Sequence, residues 1–199
     1  MRMNAKLRKS RKGLLLVLSA PSGTGKTTVV KKLLAKEQRL WRSVSATTRA
    51  RRLGEKHGRD YLFLAKPVFT RWIKKRSFLE WARVFNNYYG TPKQPVEQFR
   101  RQGRDVVLVI DIKGAQKVMR KTDALSIFLK PPSLKELAKR LGKRNTDPLE
   151  EQKRRLALAR KEISFAKFYD TVIVNRNVDR TVLKLRKLIN KARSNVNNL

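Results

Sequence analysis

The stretch Leu14-Leu15-Leu16-Val17-Leu18-Ser19-Ala20-Pro21-Ser22-Gly23-Thr24-Gly25-Lys26-Thr27-Thr28 decides the fold. Leu14 to Ser19 is a short, continuous apolar run, the pattern of a buried strand. Ala20 to Gly25 reads as a turn. From Lys26 to Glu37, Val29, Val30, Leu33 and Leu34 share one helical face. Strand, glycine turn and helix make one half of a βαβ unit. Ala20 to Thr27 matches the G-x-x-x-x-G-K-[ST] loop except that Ala20 replaces the first glycine. Glycines there let backbone N–H groups turn inward around a phosphate, and the helix aims its positive end at the same anion. Lys26 is placed for β- and γ-phosphates and the Thr27 hydroxyl for Mg²⁺. Ala20, Pro21, Ser22, Gly23, Thr24, Gly25, Lys26, Thr27 and Thr28 are therefore the candidate ATP-binding residues. Such a loop marks a nucleoside triphosphate user and leaves the reaction open.

Outward from this loop the same grammar returns. Val106 to Asp111, Leu125 to Leu129 and Thr171 to Asn175 read as further buried strands. Helical patterns separate them over Ser133 to Leu141, about Pro148 to Phe168 and about Val178 to Ala192. Asp147, Pro148 and Glu150 have the spacing of an N-cap, a first helical position and a capping box. Strands alternating with helices imply an α/β fold with a parallel sheet core flanked by helices. Residues 45–96 break the rhythm with aromatics, charges and short alternating runs, and Asn86 to Gly90 reads as a turn. They predict a small mixed α+β insertion.

The chain has 199 residues, enough for one domain with a proper core. Fifty Lys and Arg against fifteen Asp and Glu give a net charge of +35, which points to anionic partners. With no cysteine, disulfides, thiolate metal sites and a cysteine nucleophile are excluded. The single histidine, His57, excludes a multi-histidine metal site and reads as an exposed loop residue. No apolar run approaches the roughly 20 residues of a membrane helix. Residues 1–12 are a basic arm; the short apolar stretch after them lacks the cleavable spacer of a signal peptide. A cytoplasmic location is the expectation.

The insertion carries the discriminating residues. Ser45, Thr47-Thr48-Arg49-Ala50-Arg51-Arg52-Leu53-Gly54-Glu55, Gly58-Arg59-Asp60-Tyr61, Phe78-Leu79-Glu80-Trp81 and Asn87-Tyr88-Tyr89-Gly90-Thr91 occur in order. Here the chain closely resembles the guanylate kinase family, over about residues 13–192. The resemblance implies a P-loop NTPase fold in which ATP phosphorylates GMP to give ADP and GDP, with Mg²⁺ accompanying ATP. It divides the chain into a core (13–44, 97–138 and 156–199), a GMP-binding insertion (45–96) and a lid (139–155). It implies that Arg49, Arg52, Tyr61 and Tyr89 hold the GMP phosphate, a task that suits arginine forks. Glu80 would accept hydrogen bonds from guanine N1–H and the 2-amino group, with Asp111 also facing that amino group. Ser45 and Thr91 would contact the base. Arg140, Arg144 and Arg155 match the lid arginines that close over the transferring group, and Asn175 falls where the family lines the adenine pocket.

One departure stands out. The family usually carries Asp-Ile-Asp at the end of the second core strand; this chain has Val109-Ile110-Asp111. The lost carboxylate predicts weaker Mg²⁺ dependence or a lower kcat than a typical member. No general base is evident near the acceptor, and a phosphate oxygen, already anionic, needs none. The expected mechanism is positioning plus electrostatic stabilisation by Lys26 and the lid arginines. Competing readings are a peptide-binding domain of the same fold, a kinase acting on a phosphorylated sugar, and a weak or inactive relative whose charge serves nucleic-acid binding. An intact Lys26-Thr27 pair and the lid arginines oppose the first, and Ser45, Glu80 and Asp111 oppose the second. Monomer and dimer are both compatible with the sequence.

Overall fold

A computed structural model of the protein describes residues 12–84, 86–142 and 149–197. The central sheet has five parallel strands: β1 (Leu15–Ser19), β2 (Leu40–Arg42), β7 (Asp105–Val109), β8 (Leu125–Lys130) and β9 (Thr171–Val174). Their spatial order is β2-β7-β1-β8-β9. All five residues of β1 are buried, as a central strand covered on both faces requires. Alternation sends Leu16 and Leu18 to one face, against Val29, Val30 and Leu33 of α1 (Lys26–Lys36) and Val182, Leu185 and Ile189 of α7 (Val178–Asn197). Leu15 and Val17 meet the opposite cluster, with Val96 of α3 (Lys93–Arg101) and Ala115 and Val118 of α4 (Ile112–Met119).

Asp105 opens β7 with only 2% of its surface exposed. Its carboxylate is answered by the Leu14 N–H at 2.8 Å and by Arg193 Nε at 2.7 Å, which ties α7 to the start of the neighbouring strands β7 and β1. Buried carboxylates persist where such partners exist.

A second sheet, in the order β4-β3-β6-β5, is built from β3 (Ala46–Thr47), β4 (Leu62–Phe63), β5 (Phe78–Val84) and β6 (Asn87–Pro92). Helix α2 (Lys66–Lys74) packs Phe69 against Phe78 and Tyr88 at ring separations of 4.5 and 5.5 Å. This is the mixed α+β insertion that the sequence predicts. The turn expected over Asn86 to Gly90 is a correction. Pairing runs from Val84 opposite Asn87 to Phe78 opposite Pro92, so the chain reverses between Val84 and Asn87 and Tyr88 to Gly90 are strand. β6 pairs with β3 on its other side, and this two-sided pairing overrides the turn preference of asparagine and glycine.

Helix α5 (Leu134–Gly142) packs on α6 (Leu149–Ser164) through Leu137, Leu141 and Ala159. The helix expected to reach Phe168 ends at Ser164, and Phe165–Phe168 form a separate 3₁₀ turn. Asp147 and Pro148 of the expected cap lie outside the described residues, as do residues 1–11 of the basic arm. Among the described residues no helix is long and apolar enough to cross a membrane.

Candidate active site

β1 delivers the chain into the loop of residues 20–25 at the carboxyl end of the parallel sheet, where open α/β sheets bind ligands. Gly25, at φ +92°, caps α1. That conformation is open to glycine and strained for other residues. A Cβ on Gly25 would also lie 2.9 Å from Asn175 Nδ2. Asn175 is buried, directly after β9. Its Nδ2 donates to the Thr24 carbonyl at 2.7 Å, and its Oδ1 accepts from Thr181 Oγ1 at 2.9 Å. The loop therefore rests on a side chain 151 positions downstream. The first turn of α1 has neither an acidic residue nor a side-chain cap. Its N–H groups and the helix dipole remain available to an anion.

Above the loop sits α5. Leu137 and Leu141 lie against Gly23. Arg140 donates Nε to Glu136 at 3.0 Å, and its Nη1 reaches the Thr24 carbonyl at 3.4 Å. Arg140 is thus held over the phosphate-binding loop. Arg155 lies half-buried on α6, and Arg144 falls outside the described residues.

Between loop and insertion lies a cavity of about 220 Å³, lined by Lys26, Ser45, Tyr61, Glu80, Tyr89, Val109 and Asp111 among others. It joins the phosphate-side lysine to five of the eight residues expected to hold GMP. Thr91 joins them through Glu80: its Oγ1 donates to Glu80 Oε1 at 2.7 Å. Glu80 is 6% exposed. Burial pushes its carboxyl up to about 7, the Thr91 hydrogen bond holds it partly down, Asp111 adds to the rise, and Lys117 opposes it. Asp111 caps α4 by accepting from the Gly114 N–H at 3.0 Å, so the residue expected to end the β7 strand begins the next helix. Burial pulls the Lys26 ammonium below the ordinary lysine range, against the carboxylates of Asp111 and Glu162.

At the rim, Arg49 donates Nη2 to both oxygens of Glu55, at 2.7 and 3.0 Å. Glu55 Oε2 also accepts from the Arg52 N–H at 2.9 Å. The Arg49 guanidinium lies 5.5 Å from the centre of the Tyr61 ring, and Tyr61 meets Tyr89 edge-on at 6.1 Å. One cation and two phenols are thereby gathered in one place. The Arg52 side chain itself is exposed and does not line the cavity. His57 is an exposed loop residue, accepting at Nδ1 from the Phe63 N–H at 3.3 Å.

Two carboxylates escape the sequence reading of the site. Glu162, on α6, shares a neighbouring cavity of about 440 Å³ with Asp111. Burial pushes it up to about 7, the Lys26 ammonium holds it partly down, and Asp111 adds to the rise. Its sequence signal is an acid beside Ile163 and Phe165 in a chain short of acids. Glu55 has a clearer signal, since it closes the Arg49–Glu55 motif.

Among the described residues no three Asp, Glu or His side chains gather into a metal cage. The exposed Thr27 hydroxyl, beside Lys26 in the first turn of α1, is a hard oxygen donor. That donor fits Mg²⁺, which takes one or two protein oxygens and keeps phosphate and water for the rest.

A parallel sheet carrying this loop, an insertion with a purine-sized cavity and an arginine-bearing helix over the loop define a P-loop nucleoside monophosphate kinase. The sequence model of the family described as guanylate kinase matches residues 12–192, and the chain belongs to that family. A guanylate kinase of Caldanaerobacter subterraneus subsp. tengcongensis is 46% identical over 90% of this chain and 87% of its own. One from Wolbachia pipientis wMel is 48% identical over 91% of each. The crystal structure of guanylate kinase from Anaplasma phagocytophilum superposes with a TM-score of 0.77 at 38% identity, covering 92% of this chain and 87% of that one.

Proposed function

We propose that the protein transfers the γ-phosphoryl group of ATP to GMP, giving ADP and GDP. The observation that carries this reading is the cavity in which Lys26 and Asp111 of the core meet Ser45, Tyr61, Glu80 and Tyr89 of the insertion. In it a nucleotide base faces a buried carboxylate while its phosphate faces the loop. Glu80 accepts from guanine N1–H and the 2-amino group, assisted by Asp111, with Ser45 and Thr91 on the base. Adenine offers no such donor pair and would leave Glu80 desolvated and unanswered, the condition for strong rejection. Arg49, Arg52, Tyr61 and Tyr89 hold the acceptor phosphate, and Glu55 keeps the Arg49 fork aligned beforehand.

The residues of the phosphate-binding loop from Ala20 to Thr28 wrap the ATP phosphates. Asn175 contributes from beneath, by fixing the Thr24 carbonyl. Thr27 is the residue that would hold Mg²⁺, which neutralises charge on the triphosphate. An oxygen of the GMP phosphate attacks the γ-phosphorus as the bond to the β–γ bridging oxygen breaks. No proton has to be removed from the nucleophile. Lys26, with Arg140, Arg144 and Arg155 of the lid, stabilises charge on the transferring group, a task in which one arginine can be worth about 10³-fold or more. Residues 45–96 and 139–155 close over the two nucleotides and exclude water. A cytoplasmic site of action accompanies this reading. The test is ADP formation from MgATP with GMP, AMP, UMP or no acceptor. Turnover specific to GMP is expected; turnover independent of GMP would overturn the assignment.

The +35 charge exceeds what two nucleotides need. We propose that it adds nonspecific binding to nucleic acid that weakens steeply with salt. Retention on heparin and RNA across a salt gradient tests this, and binding that survives high salt would overturn the nonspecific reading.

A further inference from the structure

The base-recognising carboxylate sits at a seam. Glu80 belongs to β5 of the insertion, yet it lies against the first turn of α4 of the core. A Cβ on Gly114 would come within 2.7 Å of Glu80 Oε2, so a larger residue there would push the carboxylate from its present place. One turn further along α4, Lys117 Nζ donates to the Trp81 carbonyl and lies 4.7 Å from the centre of the Trp81 ring. Trp81 is the residue after Glu80. The two strands of contact, Gly114 to Glu80 and Lys117 to Trp81, register β5 on α4.

We propose that Lys117 is a positioning residue for guanine recognition, pinning Trp81 to α4 so that the Glu80 carboxylate is held at the cavity wall. This rests on the reading of Glu80 as the guanine acceptor. Lys117 touches no part of the cavity itself. It lines the opposite side of β5, in a groove of about 770 Å³ that Glu80 also borders. The charged and titratable groups around Glu80 act in different directions. Asp111, from the turn before α4, and the Tyr61 and Tyr89 phenols face it across the cavity with Lys26. Behind β5 lie Arg76, Lys93, Glu97, Lys117 and Lys121. Of the cations, Lys117 is the one that opposes the upward push of burial on the Glu80 carboxyl. A guanine acceptor has to be ionised to receive two hydrogen bonds. Lys117 therefore favours both the place and the charge state that recognition requires.

The experiment compares wild type, Lys117→Met, Lys117→Arg and Glu80→Gln, each checked by thermal melting. Steady-state constants for GMP and ATP are measured across pH. Met keeps the alkyl stem over Trp81 and removes the charge. An exposed charge contact of this kind predicts that Lys117→Met raises KM for GMP about three- to fivefold, leaving KM for ATP and kcat within twofold. The acid limb of kcat/KM for GMP moves to higher pH by about 0.5, because losing a cation disfavours the ionised carboxyl. Lys117→Arg restores both. The ionisation of GMP itself is common to all the variants and drops out of the comparison. If Glu80→Gln removes the acid limb and raises KM for GMP while Lys117→Met changes neither, the proposal is wrong and the site reading stands. If Lys117→Met raises KM with no movement of the acid limb and no rescue by Arg, Lys117 is merely structural and the proposal is again wrong. If Glu80→Gln itself leaves KM for GMP and the acid limb unchanged, the site reading falls first and takes the proposal with it.

Discussion

In the proposed site, the working groups at the phosphate end of the cleft are the backbone N–H donors of one short loop, a helix terminus and a single lysine. At the base end they are side chains drawn from several separate segments and fixed by packing: Glu80 on β5, Thr91 on β6, Asp111 before α4. The first end needs a local conformation, supplied by Gly23 and Gly25 with positive φ and supported by Asn175. The second needs two sheets and a helix to meet at a cavity wall. A phosphate is recognised by concentrated positive potential, which nearby N–H groups and a lysine deliver. A base edge is recognised by matched donors and acceptors, which require desolvated side chains in exact registry and carry a stability cost when one is a carboxylate.

The comparison predicts that the phosphate end fails hardest in rate. Lys26→Met is expected to lower kcat by about 10³, the scale of losing one preorganised charge stabiliser. The fold should survive, since α1 packs through Val29, Val30 and Leu33 and not through Lys26. Burial disfavours the Lys26 ammonium, so the melting temperature should hold or rise. A variant that unfolds instead would mean that Lys26 is structural. Steady-state kinetics and a thermal melt decide it.

The base end should fail in selectivity. Glu80→Gln is expected to cut kcat/KM for GMP about 10²-fold and to narrow the GMP over AMP preference, with KM for ATP unchanged. Stability should move the other way. The folded carboxyl is raised to about 7, well above its unfolded value. Between those two values the folded state binds more protons than the unfolded one, so stability falls as pH rises through the interval. At pH 8 Glu80→Gln should therefore be the more stable protein, by about 3 kcal/mol at most, and the gap should close below pH 4. Denaturant melts at the two pH values read this directly. A wild type more stable than Glu80→Gln at pH 8 would show that the buried carboxylate is better answered than its surroundings indicate.

Asn175→Ala probes the support of the loop. Removing the amide leaves the buried Thr24 carbonyl with only the long contact from Arg140 and takes the Thr181 hydroxyl's acceptor away, which should cost about 1–3 kcal/mol. KM for ATP should rise about tenfold while KM for GMP stays put, because the loop loses its preorganisation and the base pocket does not. Equal rises in both would place Asn175 in the general stability of the core.

The two ends also differ in how far they could be read from the sequence. Leu14 to Lys26 carries its own answer: a buried run, a glycine turn and an amphipathic face are contiguous, and the observed β1 and α1 fall within a residue of that reading. The parallel core followed from the same pattern. The short edge strand β2 and the helices α2, α3 and α4 are missing from it, because they are brief and their apolar faces are set by non-local partners. Glu80, Tyr61 and Tyr89 were legible through a family motif; nothing in their local spacing says that they share a wall. Asn175 beneath Thr24 and Lys117 on Trp81 are pairings that no spacing rule encodes, and for Glu55 the motif marks the residue without giving its bond to Arg49. Asn86 to Gly90 went astray for the same reason, since its strand state comes from partners on both sides.

Val109 lies where the two ends touch, and it gives the smallest and most informative change. It lines the cavity beside Lys26 and Asp111 and pairs in register with Leu18 of β1. The usual family residue there is an acid. Val109→Asp places a carboxylate near a lysine already faced by Asp111 and Glu162. If the missing acid normally orients metal-bound water or an arginine, kcat should rise about two- to fivefold and its dependence on Mg²⁺ should steepen. Titrating MgCl₂ at saturating ATP and GMP measures both. Burying part of another charge should cost about 1–3 kcal/mol of stability, so a melt accompanies the kinetics. Activity and Mg²⁺ dependence both unchanged would mean that this chain works without that acid, because Glu162 or Asp111 already meets the need. A double variant, Val109→Asp with Glu162→Gln, then separates those two carboxylates: recovery of activity lost in Glu162→Gln alone assigns the role to Glu162, and no recovery leaves it with Asp111.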